Sequence, residues 1–170
     1  IRDRPEALEH KIKRGAETAY TDFAYYFGGT LENSKNLPSW EKLDGVCGIK
    51  IFICASTGNL LSATDKEVEA VVANGNRVIA VHAEDEFLMN ENKKTILKDS
   101  NDVGMHCKWR DVNSSLNATK RVVSLAKKHN RHVLVLHITS AEVMYYLRNN
   151  KDTATVDVLT NDLTFHAPDC

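Results

Sequence analysis

Two periods alternate along this chain. Short apolar runs of strand length occupy 46–54, 77–82, 132–138 and 154–159, and between them apolar residues recur at helical spacing over 65–73, 86–98, 115–129 and 141–149. A further helix is predicted over 5–14, where Pro5 precedes apolar residues at Ala7, Leu8 and Ile12. The Tyr- and Phe-rich stretch 19–27, closed by Gly28-Gly29, reads as another strand. Thr64 with Glu67 three residues on has the form of a capping box, and Asn74-Gly75 ends the helix that it starts. Pro38 and Trp40 lie in a polar connection, and a loop runs through Trp109. Strand and helix alternate without hairpin signals, which specifies a parallel sheet, either doubly wound or curled into a (β/α) barrel. No repeat, low-complexity segment or internal boundary interrupts the pattern.

Composition narrows the picture further. With 42% apolar and 26% charged residues the chain is an ordinary globular one, long enough at 170 residues for one good core. A net charge of −1 gives no electrostatic case for nucleic acid or an anionic membrane, and the apolar runs are far short of a membrane span. The polar opening Ile1-Arg2-Asp3-Arg4-Pro5, without Met or signal peptide, leads us to expect a piece of a longer protein. Cys47, Cys54, Cys107 and Cys170 are scattered without a C-x-x-C pair, so reduced thiols in a cytoplasmic protein are expected. Asn113-Ser114-Ser115 and Asn117-Ala118-Thr119 match the glycosylation pattern as easily by chance as by purpose.

Three strand-borne residues carry the candidate chemistry. Lys50 lies inside the run 46–54, and His82 and His137 stand at or near the ends of theirs. A single strand-end histidine is usually a core residue satisfied by a backbone carbonyl, but two at equivalent positions of successive β-α units point to one site beyond the carboxyl ends of the strands. A lone strand lysine usually snorkels to solvent, yet Lys50 has no polar face to follow. Desolvation would lower its pKa and leave an amine able to take up carbon dioxide as a carbamate, an anionic oxygen ligand. Two imidazoles and such a carbamate suit a divalent metal. Ser56-Thr57-Gly58-Asn59 follows the Lys50 strand and reads either as an ordinary turn or as a loop offering N–H groups to a substrate. Glu84 and Asp85 would orient His82 or serve as first-turn acids of the next helix. His10, His106, His129, His132 and His166 show no partner spacing and are read as surface or loop residues.

The chain resembles the dihydroorotases of the amidohydrolase superfamily. The resemblance rests on Gly48-Ile49-Lys50-Ile51-Phe52, on 55–61 from Ala55-Ser56-Thr57-Gly58-Asn59 to Leu61, and on Val81-His82-Ala83-Glu84-Asp85-Glu86. It continues through His106, Trp109-Arg110-Asp111, Val135-Leu136-His137-Ile138-Thr139-Ser140, the 154–158 strand and Ala167-Pro168-Asp169-Cys170. It implies a single incomplete domain over 1–170, a partial (β/α)8 barrel covering about strands 3 to 7. In that frame Lys50 is the carboxylated lysine bridging two zinc ions, His82 and His137 are metal ligands, and Ser56, Thr57 and Asn59 bind substrate. The family's His-x-His pair, the arginine after it and the eighth-strand aspartate have no counterpart here. Val112 and Thr160-Asn161-Asp162 depart from its substrate-side pattern. The implied activity is reversible cyclisation of N-carbamoyl-aspartate to dihydroorotate, with a small-molecule substrate and a homodimer as partners. A related cyclic amidase of the dihydropyrimidinase or allantoinase type, or a non-catalytic scaffold with the same barrel, are the alternatives.

Overall fold

Five of the predicted strands form and pair in parallel in the order in which they occur. The structure, a computed structural model, describes residues 3–54, 60–98 and 102–165. Its strands are β1 (Tyr25–Gly28), β2 (Val46–Phe52), β3 (Ile79–His82), β4 (Val133–Val135) and β5 (Ala154–Val156), in the sheet order β1-β2-β3-β4-β5. A doubly wound sheet reverses its strand order at a switch point, whereas a barrel adds each strand beside the last. The order is therefore that of a barrel wall. The helices are α1 (Pro5–Thr18), α2 (Leu37–Trp40), α3 (Asp65–Val72), α4 (Glu86–Ile96), α5 (His106–Trp109), α6 (Val112–Lys128), α7 (Ala141–Arg148) and α8 (Thr160–Thr164). Among the described residues no helix is long and apolar enough to cross a membrane.

Register sorts the side chains onto two faces. Phe27, Ile49, Ile79, Val133 and Ala154 form one paired row, and Ile51, Val81 and Val135 belong to the same face. This outer face is buried in a cluster with Val68, Val71 and Val72 of α3, Val122, Val123 and Ala126 of α6, and Val143 and Leu147 of α7. The other face carries the row Gly28, Lys50, Ala80, Leu134 and Thr155, and two residues further on Phe52 pairs with His82. Lys50 and His82 thus share the inner face, as their spacing from the strand ends requires. Gly48 is needed there because a Cβ would come within 2.6 Å of the Val78 carbonyl oxygen.

Element ends differ from the sequence pattern for local reasons. β1 begins at Tyr25 rather than residue 19, because α1 runs on to Thr18 and the Phe23 ring is tilted against Tyr25 with 5.5 Å between centroids, against Gly15 of the helix. The capping box at Thr64 forms as predicted: Glu67 N–H donates to Thr64 Oγ1 at 3.3 Å and Thr64 N–H donates to Glu67 Oε2 at 2.8 Å. Thr64→Ala should therefore lower stability by about 1 kcal/mol, read as a shifted urea midpoint with an unchanged slope. A midpoint equal to that of the parent protein would show that the cap contributes nothing.

A buried ion pair ties the amino ends of the strands together. Glu41 and Arg131 are both almost fully buried, 3.5 Å apart. The Glu41 carboxylate accepts the N–H groups of Asn76 (2.7 Å) and Arg77 (3.1 Å), while Arg131 donates to the carbonyls of Arg77 (3.0 Å), Asn74 (2.7 Å) and Gly75. Gly75 has φ 89° and would have no room for a side chain beside that carboxylate.

Candidate metal centre

His82 closes β3, with its ring centroid 6.1 Å from that of Phe52 on the adjacent strand. His137 arrives by a different route. Strand alternation would send it to the outer face with Val135, but the backbone leaves β4 and His137 takes a left-handed conformation with φ 44°. A side-chain-bearing residue pays about 1–2 kcal/mol for that backbone. Asp157, just past β5, holds it there. Its carboxylate accepts the His137 N–H, and its carbonyl accepts the Ile138 N–H at 3.1 Å. The turn brings His137 Nε2 to 2.8 Å from His82 Nδ1.

Lys50 lies on the same inner face, inside β2, and its charge is felt by His137. It is 5% exposed, its Nζ lies 4.7 Å from the Phe52 ring centroid, and burial pulls its pKa down to about 8 against the attraction of Asp157. About a tenth of the amine is then neutral at pH 7. Burial, and then the neighbouring His82, also lower the pKa of His137, which favours the neutral imidazole that a metal ligand must be.

Sequence reasoning left two residues undecided and overlooked three. Glu84 is the residue on His82: its Oε2 lies 2.9 Å from His82 Nε2, and it also takes a two-point contact from Arg110. Burial opposes its ionisation, but hydrogen bonds from His82 and Arg110 prevail and hold the carboxyl at about 2. Asp85 instead caps α4, accepting from Phe87 N–H and Leu88 N–H, and pairs with Arg121 at 3.2 Å. The overlooked residues are Cys54, Arg110 and Asp157. An acid one residue past a strand of the same sheet is a signal equivalent to His82 and His137, so Asp157 was within reach of the spacing argument. Arg110 lies in the Trp109-Arg110-Asp111 stretch, where the sequence offers it no partner.

Cys54 Sγ, a His82 ring nitrogen and a Glu84 oxygen also lie within 4.8 Å of one another, a second set of candidate ligands. The chemistry favours the imidazole pair. Burial and Glu84 push the Cys54 thiol up to about 12 in the metal-free protein, and Arg110 already neutralises Glu84. A divalent cation is suited by the two facing nitrogens of His82 and His137, with Lys50 on the same inner face. Of the other candidates, Ser56, Thr57 and Asn59 lie outside the described residues, as does His166. The flanks of that loop are at the site: Ile53 N–H donates to the His82 carbonyl at 3.1 Å and Leu61 bridges to Phe52. His106 stands edge-on to Trp109 and lines the pocket, His129 pairs with Glu69, and His132 meets Thr155.

The cluster opens into a pocket of about 270 Å³ lined by His82, Glu84, Arg110, His137, Ser140 and Asp162 among others. No family model matches the chain. Solved structures do. A D-hydantoinase (dihydropyrimidinase) from Thermus sp. superposes with TM-score 0.80 over 96% of this chain at 14% identity. An L-hydantoinase (dihydropyrimidinase) from Arthrobacter aurescens gives 0.77 over 90% at 22%, and a dihydropyrimidinase from Brevibacillus agri NCHU1002 gives 0.77 over 93% at 18%. The fold is a partial (β/α)8 barrel. This chain spans 39%, 36% and 37% of those three chains respectively. In such a barrel, ligands bind at the carboxyl ends of the strands, and His82, His137 and Asp157 all stand there.

Proposed function

We propose that the chain is part of a metal-dependent hydrolase of cyclic amides, of the dihydropyrimidinase or hydantoinase type. The observation that carries this reading is the pairing of His82 with His137 at the carboxyl end of a barrel wall, with the buried Lys50 on the same inner face. The solved structures it matches bear hydantoinase and dihydropyrimidinase names, which supports a cyclic amide as the substrate class. His82 and His137 would hold zinc, and Lys50, once carboxylated, would bridge it to a second ion. Bound metal of this kind activates water near neutral pH and polarises an amide carbonyl. The chain's own contribution is then definite. β2 keeps the Lys50 amine partly neutral, Asp157 turns His137 inward, and Glu84 fixes the His82 ring.

Dihydroorotase is the second reading, favoured by the stretches around Lys50, His82 and His137 and by the 55–61 loop. Substrate preference separates the two. The full protein, loaded with zinc in bicarbonate, should open the ring of dihydrouracil or hydantoin in a spectrophotometric assay. Turnover of dihydroorotate alone would transfer the assignment to the second reading. No turnover of any of the three, with zinc fully bound, would leave a non-catalytic barrel.

A further inference from the structure

The chain after β2 and the chain after β3 are tied to each other by Arg121 of α6, in the outer helical layer. Each nitrogen of its guanidinium donates to a different residue. Nε donates to Asp65 Oδ1 at 2.7 Å, Nη2 to the Ala63 carbonyl at 2.7 Å, and Nη1 to Asp85 Oδ2 at 3.2 Å. Ala63 and Asp65 flank Thr64, the N-cap of α3, and Asp85 is the N-cap of α4. A planar group whose donors diverge at fixed angles sets the spacing of its acceptors as well as neutralising them.

Both segments lead directly to the candidate metal centre. On the β2 side, Ser62 N–H donates to the Phe52 carbonyl at 2.8 Å, and Leu61 bridges to the same residue. The Phe52 ring centroid in turn lies 4.7 Å from Lys50 Nζ and 6.1 Å from the centroid of His82. On the β3 side, Asp85 follows His82-Ala83-Glu84, and its N–H donates to the Ser114 carbonyl of α6 at 3.0 Å. Asp85 Oδ1 is occupied by the N–H groups of Phe87 and Leu88, both at 3.1 Å, which leaves Oδ2 for Arg121. A second tie joins α3 to the end of α6, from Glu69 to Lys128 (2.6 Å) and His129 (2.8 Å), about a turn along α3 from Asp65.

We propose that Arg121 is a positioning residue: by bracing Ala63, Asp65 and Asp85 from the outer layer, it holds Phe52 and the His82–Asp85 stretch at the spacing at which the site is assembled. Its contribution to stability is small, because the Asp65 carboxylate is 66% exposed and ion pairs of that kind contribute little. Its effect on the site is larger, since a displacement of about 1 Å at a reacting centre can cost about 10²-fold in rate. Metal affinity and turnover enter here through the hydrolase reading above, whereas the bracing of the two segments does not depend on it.

Backbone amide exchange in the metal-free full protein reads the brace directly. Arg121→Met should speed exchange at the Ser62 and Asp85 amides about tenfold or more, while Ile79, bonded to the His132 carbonyl at the other end of β3, keeps its rate. The same variant should weaken zinc in chelator competition and lower kcat, each by about 10–100-fold, with little change in melting temperature. Arg121→Lys offers one point charge to three separated acceptors, so it should restore the melting temperature but neither the exchange rates nor kcat. Glu69→Gln, which loosens the second tie, should leave exchange at Ser62 and Asp85, zinc affinity and kcat as in the wild type. Wild-type exchange at Ser62 and Asp85 in the Arg121→Met protein, or faster exchange at all three amides in step with a large fall in melting temperature, would overturn the proposal. So would wild-type zinc affinity and kcat in that variant. A wild type that neither binds zinc nor opens a cyclic amide sinks the hydrolase reading instead, while the exchange rates still decide the role of Arg121.

Discussion

Lys50→Arg in the full protein should lose the second zinc and reduce turnover by roughly 10²–10³-fold or more, the scale expected when a preorganised electrostatic element is removed. Arginine keeps the length and the charge but stays protonated, so it forms no carbamate. Metal analysis and turnover in bicarbonate buffer measure both effects, and a Lys50→Arg protein with full zinc and normal turnover would eliminate the carboxylated-lysine mechanism. The same residue should be a burden on the metal-free fold. Its pKa falls from 10.5 to about 8 on folding. Below pH 8 both states hold the proton and the folded state bears the whole desolvation cost, about 3 kcal/mol. Between about pH 8 and 10.5 the unfolded chain still binds the proton and the folded chain does not, so stability rises with pH in that window. Lys50→Met should accordingly stabilise the metal-free protein at pH 7 and flatten its stability between pH 8 and 10.5. An unchanged pH dependence would show that the lysine is not desolvated.

Arg131→Ala should cost about 3–5 kcal/mol in urea unfolding, the largest stability loss expected from one substitution outside the site. The carbonyls of Arg77, Asn74 and Gly75 would lose their donor, and the buried Glu41 carboxylate would lose its ion-pair partner. The penalty comes mainly from what is left unpaired. Combining Arg131→Met with Glu41→Gln should therefore lose less than Arg131→Ala alone, since glutamine carries no charge and can still accept from Asn76 and Arg77. If the double variant is as unstable as the sum of the two single ones, the pair is not coupled through charge.

Much of the local structure was determined by the sequence itself. Apolar residues crowded into short β-branched runs place β2 to β5 in nearly the predicted positions, and the Thr64–Glu67 box starts α3 where its side chains permit. These are short-range effects, set by steric preference and hydrogen bonds within one turn. Lys50 and His82 were legible as one face because strand period and parallel pairing preserve side. Tertiary structure alone decided the choice between a doubly wound sheet and a barrel wall, since both arise from the same β-α alternation and differ only in which strands become neighbours. It also decided His137. Periodicity alone sends that side chain outward, and Asp157, twenty residues later and just past β5, stabilises the left-handed backbone that turns it in. Arg110 and Cys54 reach Glu84 from elements far apart in sequence, so no spacing rule could have joined them. Buried charges need partners, and the sequence names the charge while the fold selects the partner.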